Sequence, residues 1–336
     1  MPKPSLSMKP TGWFQVAWSA EVEAGQVHRV KAFGEDLVAW RGQSGQVTVM
    51  DAYCGHLGAH LGHGGTVVDD TIQCPFHGWQ WNGAGRNVCI PYESRPNRGK
   101  KIRTYPAIER NESVYIWHDL QGREPFFDVP DVFTSWDDGA TADDYHPCYP
   151  GTVLFSERLQ IHPQYVLENG VDFAHFKFVH KVPIIPRFTR QDFDEPVSYV
   201  DFTIAFEGEP GSIDEIDSGV EAINAGLGVA VTRSHGMIDN RTASCVTPVD
   251  EETSDIRFSV WIRRQPGLSD EESAKLAAKH ARGVIEQFEA DIAIWQHQRY
   301  TDPAALVRDE YPGFTALRAW ARQFYPETGP ARERQH

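Results

Sequence analysis

Hydrophobic and polar positions alternate in short runs over the first third of the chain. The runs "QVHRVKAF", "LVAWR" and "VTVMDAYC" are separated by turn-forming residues, and the same pattern returns in residues 66–88 and in "SVYIWHD". Alternation with a period of two, interrupted by Gly, Asp and Asn, is typical of short antiparallel strands. The pattern predicts that residues 12–120 form one all-β module.

A second set of β-rich runs follows residue 197, and one long helical pattern comes after it. The runs are "SYVDFTIAFEG", "GLGVAVTRS", "RTASCVTPV" and "DIRFSVWIRR". From Ser269, with Glu272 placed three residues later as in a capping box, good helix formers continue to Trp295. The sequence therefore predicts an α+β fold, with an N-terminal all-β domain and a C-terminal antiparallel sheet covered by helices.

The segment between these two regions has a different composition. Residues 124–150 are rich in proline, glycine and aspartate, which favours a surface connection between domains. The length of 336 residues also agrees with two domains. We place the boundary near residue 130, which gives domains of residues 1–130 and 131–336.

Composition and charge narrow the class of partner. The formal net charge is −15, so nucleic acid and anionic membranes would repel the molecule at long range. No apolar run has the length of a signal peptide or a membrane span, and we expect a cytoplasmic protein. Five cysteines in a long chain do not resemble a secreted disulfide framework. Reduced thiols or metal thiolates are expected.

Two loops of the β module carry a candidate metal site. Cys54 and His56 lie in "DAYCGHLGAHLGHGG", and Cys74 and His77 follow the next strand, giving the spacing C-x-H-x17-C-x2-H. Two thiolates and two imidazoles could bind one tetrahedral zinc, although structural zinc sites usually space their paired ligands by two or more residues. The alternative is a [2Fe–2S] cluster of Rieske type, in which two cysteines hold one iron and two histidines the other.

The residues around these ligands carry a resemblance. "CGHLGAHL" followed by "CPFHGWQW" resembles the two cluster-binding loops of the Rieske iron–sulfur domain. The resemblance favours the [2Fe–2S] cluster over zinc, with Cys54, His56, Cys74 and His77 as its ligands. His60 and His63 have no counterpart in the motif, and we interpret them as loop histidines near the cluster.

A second candidate metal site lies in "LENGVDFAHFKFVHKVP". Asp172 and His175 share one helix face, but His180 would lie about 140° round a regular helix from His175, so the helix must distort or end between the two histidines. A non-haem iron enzyme needs two histidines and one carboxylate on one face of the metal. Asp291 is available, because it projects from the apolar stripe of the long predicted helix toward the core. An aspartate satisfied by arginine or backbone groups is the alternative.

The second site also carries a resemblance. "ENGVDFAHFKFVH" is similar to the N-x-x-D-x-x-H-x4-H segment of Rieske non-haem iron oxygenases, and "FEADIAIWQHQRY" resembles the segment with their third ligand. The resemblance implies that His175, His180 and Asp291 bind a mononuclear Fe(II). It implies that Asp172 links a cluster histidine of a neighbouring subunit, His77, to His175, and that Asn169 lies near this junction.

The same resemblance implies partners and a reaction. In the family, three subunits form a ring, and electrons pass from the cluster of one subunit to the iron of the next. The reaction consumes O2 and electrons from NAD(P)H. This chain has no dinucleotide-binding fingerprint, so a separate reductase, with or without a ferredoxin, must supply those electrons. The expected partners are therefore a small hydrophobic substrate, O2 and the reductase, with no nucleic acid and no membrane.

A wider resemblance suggests the substrate. "GWFQVAWSAEV", "VCIPYES", "VYIWHD" and "LRAWARQFYPE" together look most like the oxygenase component of 3-ketosteroid 9α-hydroxylases and related sterol desaturases. This implies monooxygenation of a bulky hydrophobic, steroid-like substrate in a large apolar pocket, whose lining we expect on the sheet and loops of residues 200–260.

Two alternative functions remain open on the sequence. A ring-hydroxylating dioxygenase or a demethylase for a small aromatic acid would need a cationic anchor in its pocket, for which Arg233, Arg241 and Arg257 are candidates. A pure electron carrier, namely a Rieske ferredoxin with an inert appended domain, would hold two irons per chain instead of three.

Overall fold

The computed structural model describes residues 6–205, 217–236 and 239–325. The strands of the described residues are β1 (Gly12–Trp18), β2 (Val27–Ala32), β3 (Glu35–Arg41), β4 (Val47–Asp51), β5 (Thr66–Val68), β6 (Thr71–Gln73), β7 (Gln80–Asn82), β8 (Asn87–Cys89), β9 (Thr104–Tyr105), β10 (Ala107–Arg110), β11 (Ser113–His118), β12 (Val153–Leu159), β13 (Arg187–Asp192), β14 (Val197–Thr203), β15 (Gly219–Ala225), β16 (Val229–His235), β17 (Asn240–Pro248) and β18 (Ser254–Ile262). The α-helices are α1 (Pro163–Val171), α2 (Phe173–Phe178), α3 (Asp270–Trp295) and α4 (Tyr311–Ala321).

The N-terminal third consists of three small sheets, which confirms the predicted all-β module. Their strand orders are β1-β11-β10, β2-β3-β4-β9 and β5-β6-β7-β8. The first two sheets enclose a core that includes Phe14, Leu37, Val49 and Ile116. A separate core, with Trp40, Trp81 and both Cys54 and Cys74 among its members, lies under the two loops of the first candidate metal site.

The C-terminal part is built on one antiparallel sheet of seven strands. Its order is β12-β18-β17-β16-β15-β14-β13, and helices cover one face, as predicted. Helix α3 packs on β18, where Phe288 stacks on Phe258 with ring centroids 4.1 Å apart. Helix α3 begins and ends as predicted, with Ser269 and Glu272 forming the capping box.

The opposite face of this sheet packs on the N-terminal module. Trp13, Tyr115 and Trp117 of that module share a buried core with Val231 and Trp261 of the sheet. The arrangement has three layers, because helices cover one face of the large sheet, and the β1-β11-β10 sheet with the chain that follows it covers the other. The cavity described below lies between the helices and the sheet.

The segment between residue 119 and β12 is less exposed than its composition suggests. It has almost no regular structure, as predicted, but Val129, Val132, Tyr145 and Cys148 are fully buried in the shared core. The expectation of a surface connection is therefore wrong for these side chains, because the second face of the large sheet is apolar and this segment helps to cover it. The domain boundary near residue 130 stays a prediction. No helix of the described residues is long and apolar enough to cross a membrane.

Candidate functional site

The two loops that carry Cys54 and Cys74 have the same hydrogen-bond pattern. In each loop the cysteine N–H donates to the carbonyl five residues later, and its carbonyl accepts from a glycine N–H four residues later, with distances of 2.8–3.0 Å. These glycines, Gly58 and Gly78, have φ values of +74° and +71°, which favour glycine. The loops therefore present their side chains as a matched pair.

The four predicted ligands of this site come together in two layers. Cys54 and Cys74 are each 3% exposed and form no disulfide. The rings of His56 and His77 lie nearer the surface with centroids 4.8 Å apart, and His56 stacks on Trp79. The Nδ1 atom of His77 is buried and has no hydrogen-bond partner. An unpaired buried nitrogen is disfavoured unless a ligand takes its lone pair, so the residues fit a cluster held by inner thiolates and outer imidazoles.

Burial has the largest effect on the pKa of Cys54. Desolvation raises the pKa of the Cys54 thiol, and the neighbouring Cys74 thiol raises it further, while the backbone N–H of His56 and the Trp81 side chain oppose these effects. His60 and His63, by contrast, contact each other, with ring centroids 4.7 Å apart, and the His60 ring accepts from a backbone N–H of its own loop.

The second candidate site forms where a helix is interrupted. Asp172 ends α1 and also begins α2, and α2 stops at Phe178, before His180. This confirms that the helix ends between the two histidines. Potential ligand atoms of His175, His180 and Asp291 all lie within 4.8 Å of one another, and His180 Nε2 is 3.2 Å from Asp291 Oδ1. The predicted convergence of residues more than 100 positions apart is present.

Each histidine is oriented by a bond at its far nitrogen. Nδ1–H of His175 donates to the main-chain carbonyl of Asp172, and Nδ1–H of His180 donates to Gln287 Oε1 at 2.9 Å. Each Nε2 atom then carries the lone pair that can bind a metal beside the Asp291 carboxylate, and a metal at His175 would replace the 3.0 Å contact that its Nε2 makes with Asn169 Nδ2. Two imidazoles and one carboxylate are the donor set of a non-haem Fe(II) site, so the residues fit this metal. Sequence reasoning missed Gln287, which lies one helical turn before Asp291.

Asp172 and Asn169 are both close to His175. Asp172 Oδ1 accepts the N–H groups of Ala174 and His175, so the carboxylate caps α2 while the carbonyl orients the His175 ring. Asn169 Nδ2 is 3.0 Å from His175 Nε2. The sequence placed Asp172 as the link to His175, and within this chain the contact to the ring runs through the main chain.

Burial also sets the charge of the histidine site. Desolvation lowers the pKa of His175, and the Asp291 carboxylate offsets part of this effect. The ring is therefore neutral at neutral pH, which is the form that binds metal ions.

A cavity of about 440 Å³ opens on this triad. Its floor is the helix-covered face of the sheet, with Phe202, Ala222, Ala230 and Phe258 among the contributing side chains. The expectation that the sheet between residues 200 and 260 provides much of the lining is met, and α1, α2 and α3 complete it. Polar groups are confined to β15, β16 and β17 and to the neighbourhood of the triad.

None of the three candidate anchor arginines lines this cavity. Arg233 and Arg241 point to the opposite face of the sheet, where both contact Asp138, and Arg257 lies over the ring of Phe155. They alternate with cavity-facing residues along their strands, so a strand's side-chain period of two sends them away. Among the described residues that line the cavity there is no lysine or arginine.

Two family models match the chain. Residues 12–106 match the Rieske [2Fe-2S] domain, and residues 116–325 match the 3-ketosteroid 9alpha-hydroxylase C-terminal domain. The two matches cover the first and second candidate metal sites respectively. Together they include most of the chain.

Curated proteins of similar sequence extend these matches over nearly the whole length. An oxygenase component of 3-ketosteroid-9-alpha-monooxygenase from Rhodococcus rhodochrous is 31% identical over 327 residues, covering 94% of this chain and 83% of the relative. A cholesterol 7-desaturase from Bombyx mori is 30% identical, covering 95% of this chain and 70% of the relative.

Solved structures share the fold at lower sequence identity. Dicamba monooxygenase bound to dicamba superposes with a TM-score of 0.69 at 17% identity, covering 95% of this chain and 98% of that chain. The oxygenase in the oxygenase–ferredoxin complex of carbazole 1,9a-dioxygenase superposes with a TM-score of 0.65 at 19% identity, covering 94% and 90%.

Proposed function

Because the chain belongs to the 3-ketosteroid 9α-hydroxylase family of Rieske oxygenases, we propose that it hydroxylates a steroid or a similarly bulky polycyclic molecule. The protein is an oxidoreductase, the oxygenase component of a multicomponent system, and its cofactors are a Rieske [2Fe–2S] cluster and a mononuclear iron. It therefore works with a reductase or ferredoxin, a substrate and O2. The observation that carries the substrate proposal is the largely apolar cavity of about 440 Å³ on the histidine–aspartate triad.

We assign the ligands by geometry and chemistry together. Cys54, His56, Cys74 and His77 are proposed to hold the cluster, supported by the buried thiols and by the unpaired nitrogen of His77. For the mononuclear iron we propose the triad of His175, His180 and Asp291. Support comes from the proximity of their donor atoms and from the far-side bonds that leave the lone pair of each ring on Nε2.

The residues of this chain prepare the site for the reaction. His175, His180 and Asp291 would hold the iron, which would supply the O2-activating chemistry, with electrons from the cluster, that hydroxylation of an unactivated C–H bond requires. Gln287 and the Asp172 carbonyl hold the two imidazoles in place, and Asn169 places an amide at the same edge of the site. The apolar walls displace water and orient the substrate, so that one carbon faces the triad.

We propose further that three copies form a ring in which the cluster of one subunit faces the iron site of the next, with Asp172 between His77 and His175. The cluster tip exposes Leu57 and Phe76, which are 66% and 62% exposed. Close to the iron site, Phe178 and Ile294 are 69% and 49% exposed. Exposed apolar side chains at both places support contact between copies, since such patches mark interaction sites.

The experiment is a single turnover of the chemically reduced holoprotein under O2, with a panel of ketosteroids, sterols and aromatic acids, read by mass spectrometry. This design needs no reductase. We expect a steroid to gain one oxygen atom. An aromatic acid gaining a diol or losing a methyl group would overturn the proposal in favour of the smaller substrate class, although the described residues that line the cavity include no lysine or arginine to anchor an acid.

Iron content tests the remaining alternative. A cluster plus a mononuclear site requires three irons per chain, and the Asp291→Ala variant should retain only the two of the cluster. Two irons in the wild-type protein would support a pure electron carrier.

Light scattering tests the proposed ring by measuring the mass of the assembly. A ring of three copies predicts three times the chain mass of 37.9 kDa.

A further inference from the structure

One row of the cavity floor contains a polar atom that has no partner in the part of the chain that the structure describes. Across the large sheet, the row Phe202, Val220, Ser234 and Asn240 joins neighbouring strands β14, β15, β16 and β17, and all four side chains line the cavity. Asn240 is 5% exposed, and its Oδ1 atom is buried without a hydrogen-bond partner. An unpaired buried acceptor is costly, so such an atom in a ligand cavity indicates a group that a ligand completes.

This unpaired acceptor differs from the other polar groups of the cavity floor. Thr232 and Thr242 are 2.6 Å apart and bond to each other, and Asn224 donates to Ser198 at 3.1 Å. These groups are satisfied within the protein and have little to gain from a ligand. Asn240 is the polar group on the floor that is both buried and unpaired among the described residues.

The position of Asn240 sets the length of the ligand. Ser244 pairs with Phe258 on β18, and Phe258 stacks on Phe288 of α3. Phe288 precedes Asp291 by three residues, so Ser244 lies at the end of the cavity that is near the triad. Asn240 precedes Ser244 by four residues on β17, which separates them by about 13 Å along the strand. Its partner on β18, Ile262, packs near the N-terminal half of α3, away from Asp291.

We infer that Asn240 anchors the substrate by accepting a hydrogen bond from a hydroxyl group at the end of the molecule remote from the attacked carbon. The inference rests on the proposed function and refines its substrate class to a hydroxylated steroid. A ketone oxygen cannot satisfy Oδ1, because a carbonyl only accepts. The ligand is therefore a rigid, largely apolar molecule with an alcohol at one pole. Its ring system faces the row between, where Val200 and Ala222 continue into the mutually bonded pair Thr232 and Thr242.

The test measures binding of two steroids that differ only in carrying a hydroxyl or a ketone on the terminal ring, using the holoenzyme and equilibrium dialysis. We expect the alcohol to bind at least about tenfold more tightly than the ketone. Asn240→Leu removes the acceptor at similar volume and should bring this ratio near one. Asn240→Asp keeps an acceptor and should keep the preference.

Thr242→Val is the matched control, because Thr242 lies two residues along the same strand face and is already paired. It should leave the ratio of the two affinities as in the wild type. Iron content and melting temperature show whether each variant folds. Equal binding of both steroids by the wild type, or a preference that survives in Asn240→Leu, overturns this inference alone. Failure of the wild type to bind either steroid overturns the proposed function together with it.

Discussion

At the scale of single residues, Gln287 determines which nitrogen of His180 can bind a metal. Its Oε1 accepts from Nδ1–H at 2.9 Å, which fixes the ring and its tautomer. We expect Gln287→Met to weaken iron binding by about 10–100-fold, the usual effect of removing a partner of a metal-ligating histidine. The measurement is an anaerobic Fe(II) titration, with the cluster absorbance as an internal check that the protein is intact.

Two further variants sharpen this prediction. Gln287→Glu keeps an acceptor oxygen and should retain most of the affinity. Glu286→Gln changes the exposed neighbouring position on the same helix and should have no effect. Equal iron affinity in Gln287→Met and the wild type would contradict the role of this bond.

The capping role of the Asp172 side chain and the role of its charge can be tested separately. The carboxylate oxygen that caps α2 has a counterpart in the amide oxygen of asparagine, so Asp172→Asn should retain iron and stability. If the charge links subunits as proposed, cluster reoxidation in a single turnover should slow by about 10–100-fold, the range seen for lost partners of metal ligands. Stopped-flow absorbance measures this rate.

The alanine variant provides the comparison. Asp172→Ala also loses the cap, and we expect it to be about 1 kcal/mol less stable than Asp172→Asn in denaturant unfolding. An unchanged reoxidation rate in Asp172→Asn would show that the carboxylate has no part in electron transfer.

The sequence indicates the proposed metal ligands better than the residues that orient them. His175, His180 and Asp291 could be predicted because metals require particular donor types, which limits the candidates. Gln287 and Asn240 carry no such signal, since amides occur on any surface and their meaning depends on what faces them. Arg233 shows the same limit, because strand pairing decides which face of the sheet it occupies.

At the scale of elements, α3 is the clearest test of local sequence rules. Ser269 accepts from the N–H of Glu272, and Glu272 accepts from the N–H of Ser269. We expect Ser269→Ala to lower the free energy of unfolding by about 1 kcal/mol. Because Asp291 lies 22 residues further on, about 33 Å along the helix, iron content should not change.

The matched control for this helix is Ser269→Asp, which restores an N-cap and should recover most of the stability. Chemical denaturation monitored by circular dichroism measures both variants. If Ser269→Ala loses iron under conditions in which it is fully folded, the cap at the start of α3 affects the site around Asp291, and the prediction is contradicted.

The strands that the hydrophobic pattern did not predict are edge strands or contain poor β-forming residues. Strands β12 and β13 are the edges of the large sheet and expose several polar side chains, so they lack a clear alternation. Strand β15 lies between β14 and β16 but contains Gly219, Glu221 and Asn224, which weaken its β signal. Central strands such as β17 and β18, buried along most of their length, were predicted.

At the scale of the whole molecule, two buried histidines connect the first residues to both domains. His118 Nδ1–H donates to the Pro10 carbonyl at 2.7 Å, and His162 Nε2–H donates to the Ser7 carbonyl at 3.0 Å. Burial lowers the pKa of each histidine to about 4. Both are therefore neutral in the folded protein at pH 5.5, whereas the unfolded chain, with a pKa near 6.5, is mostly protonated.

Stability should consequently fall as the pH drops from 6.5 toward 4, because the unfolded state binds more protons in this range. Between pH 7.5 and pH 5.5 we expect a loss of about 3 kcal/mol from these two histidines together. Denaturant unfolding at the two pH values measures it.

A variant of His118 tests whether this loss of stability comes from the buried histidines. His118→Asn places an amide donor near the Pro10 carbonyl without a titrating group, and it should remove about half of the pH-dependent loss. The same loss in the variant and the wild type would show that His118 is not responsible.

The buried connection between the domains has a consequence for protein engineers. Exchanging the Rieske domain between oxygenases requires a cut between that domain and the catalytic part of the chain. Here a cut near residue 130 would separate Val129 from Val132 within a core that also contains Trp13 and Trp261. A Rieske domain transplanted from another oxygenase would contact side chains in this core that do not match its own. A successful chimaera must therefore transfer residues 119–152 together with the sheet face on which they pack.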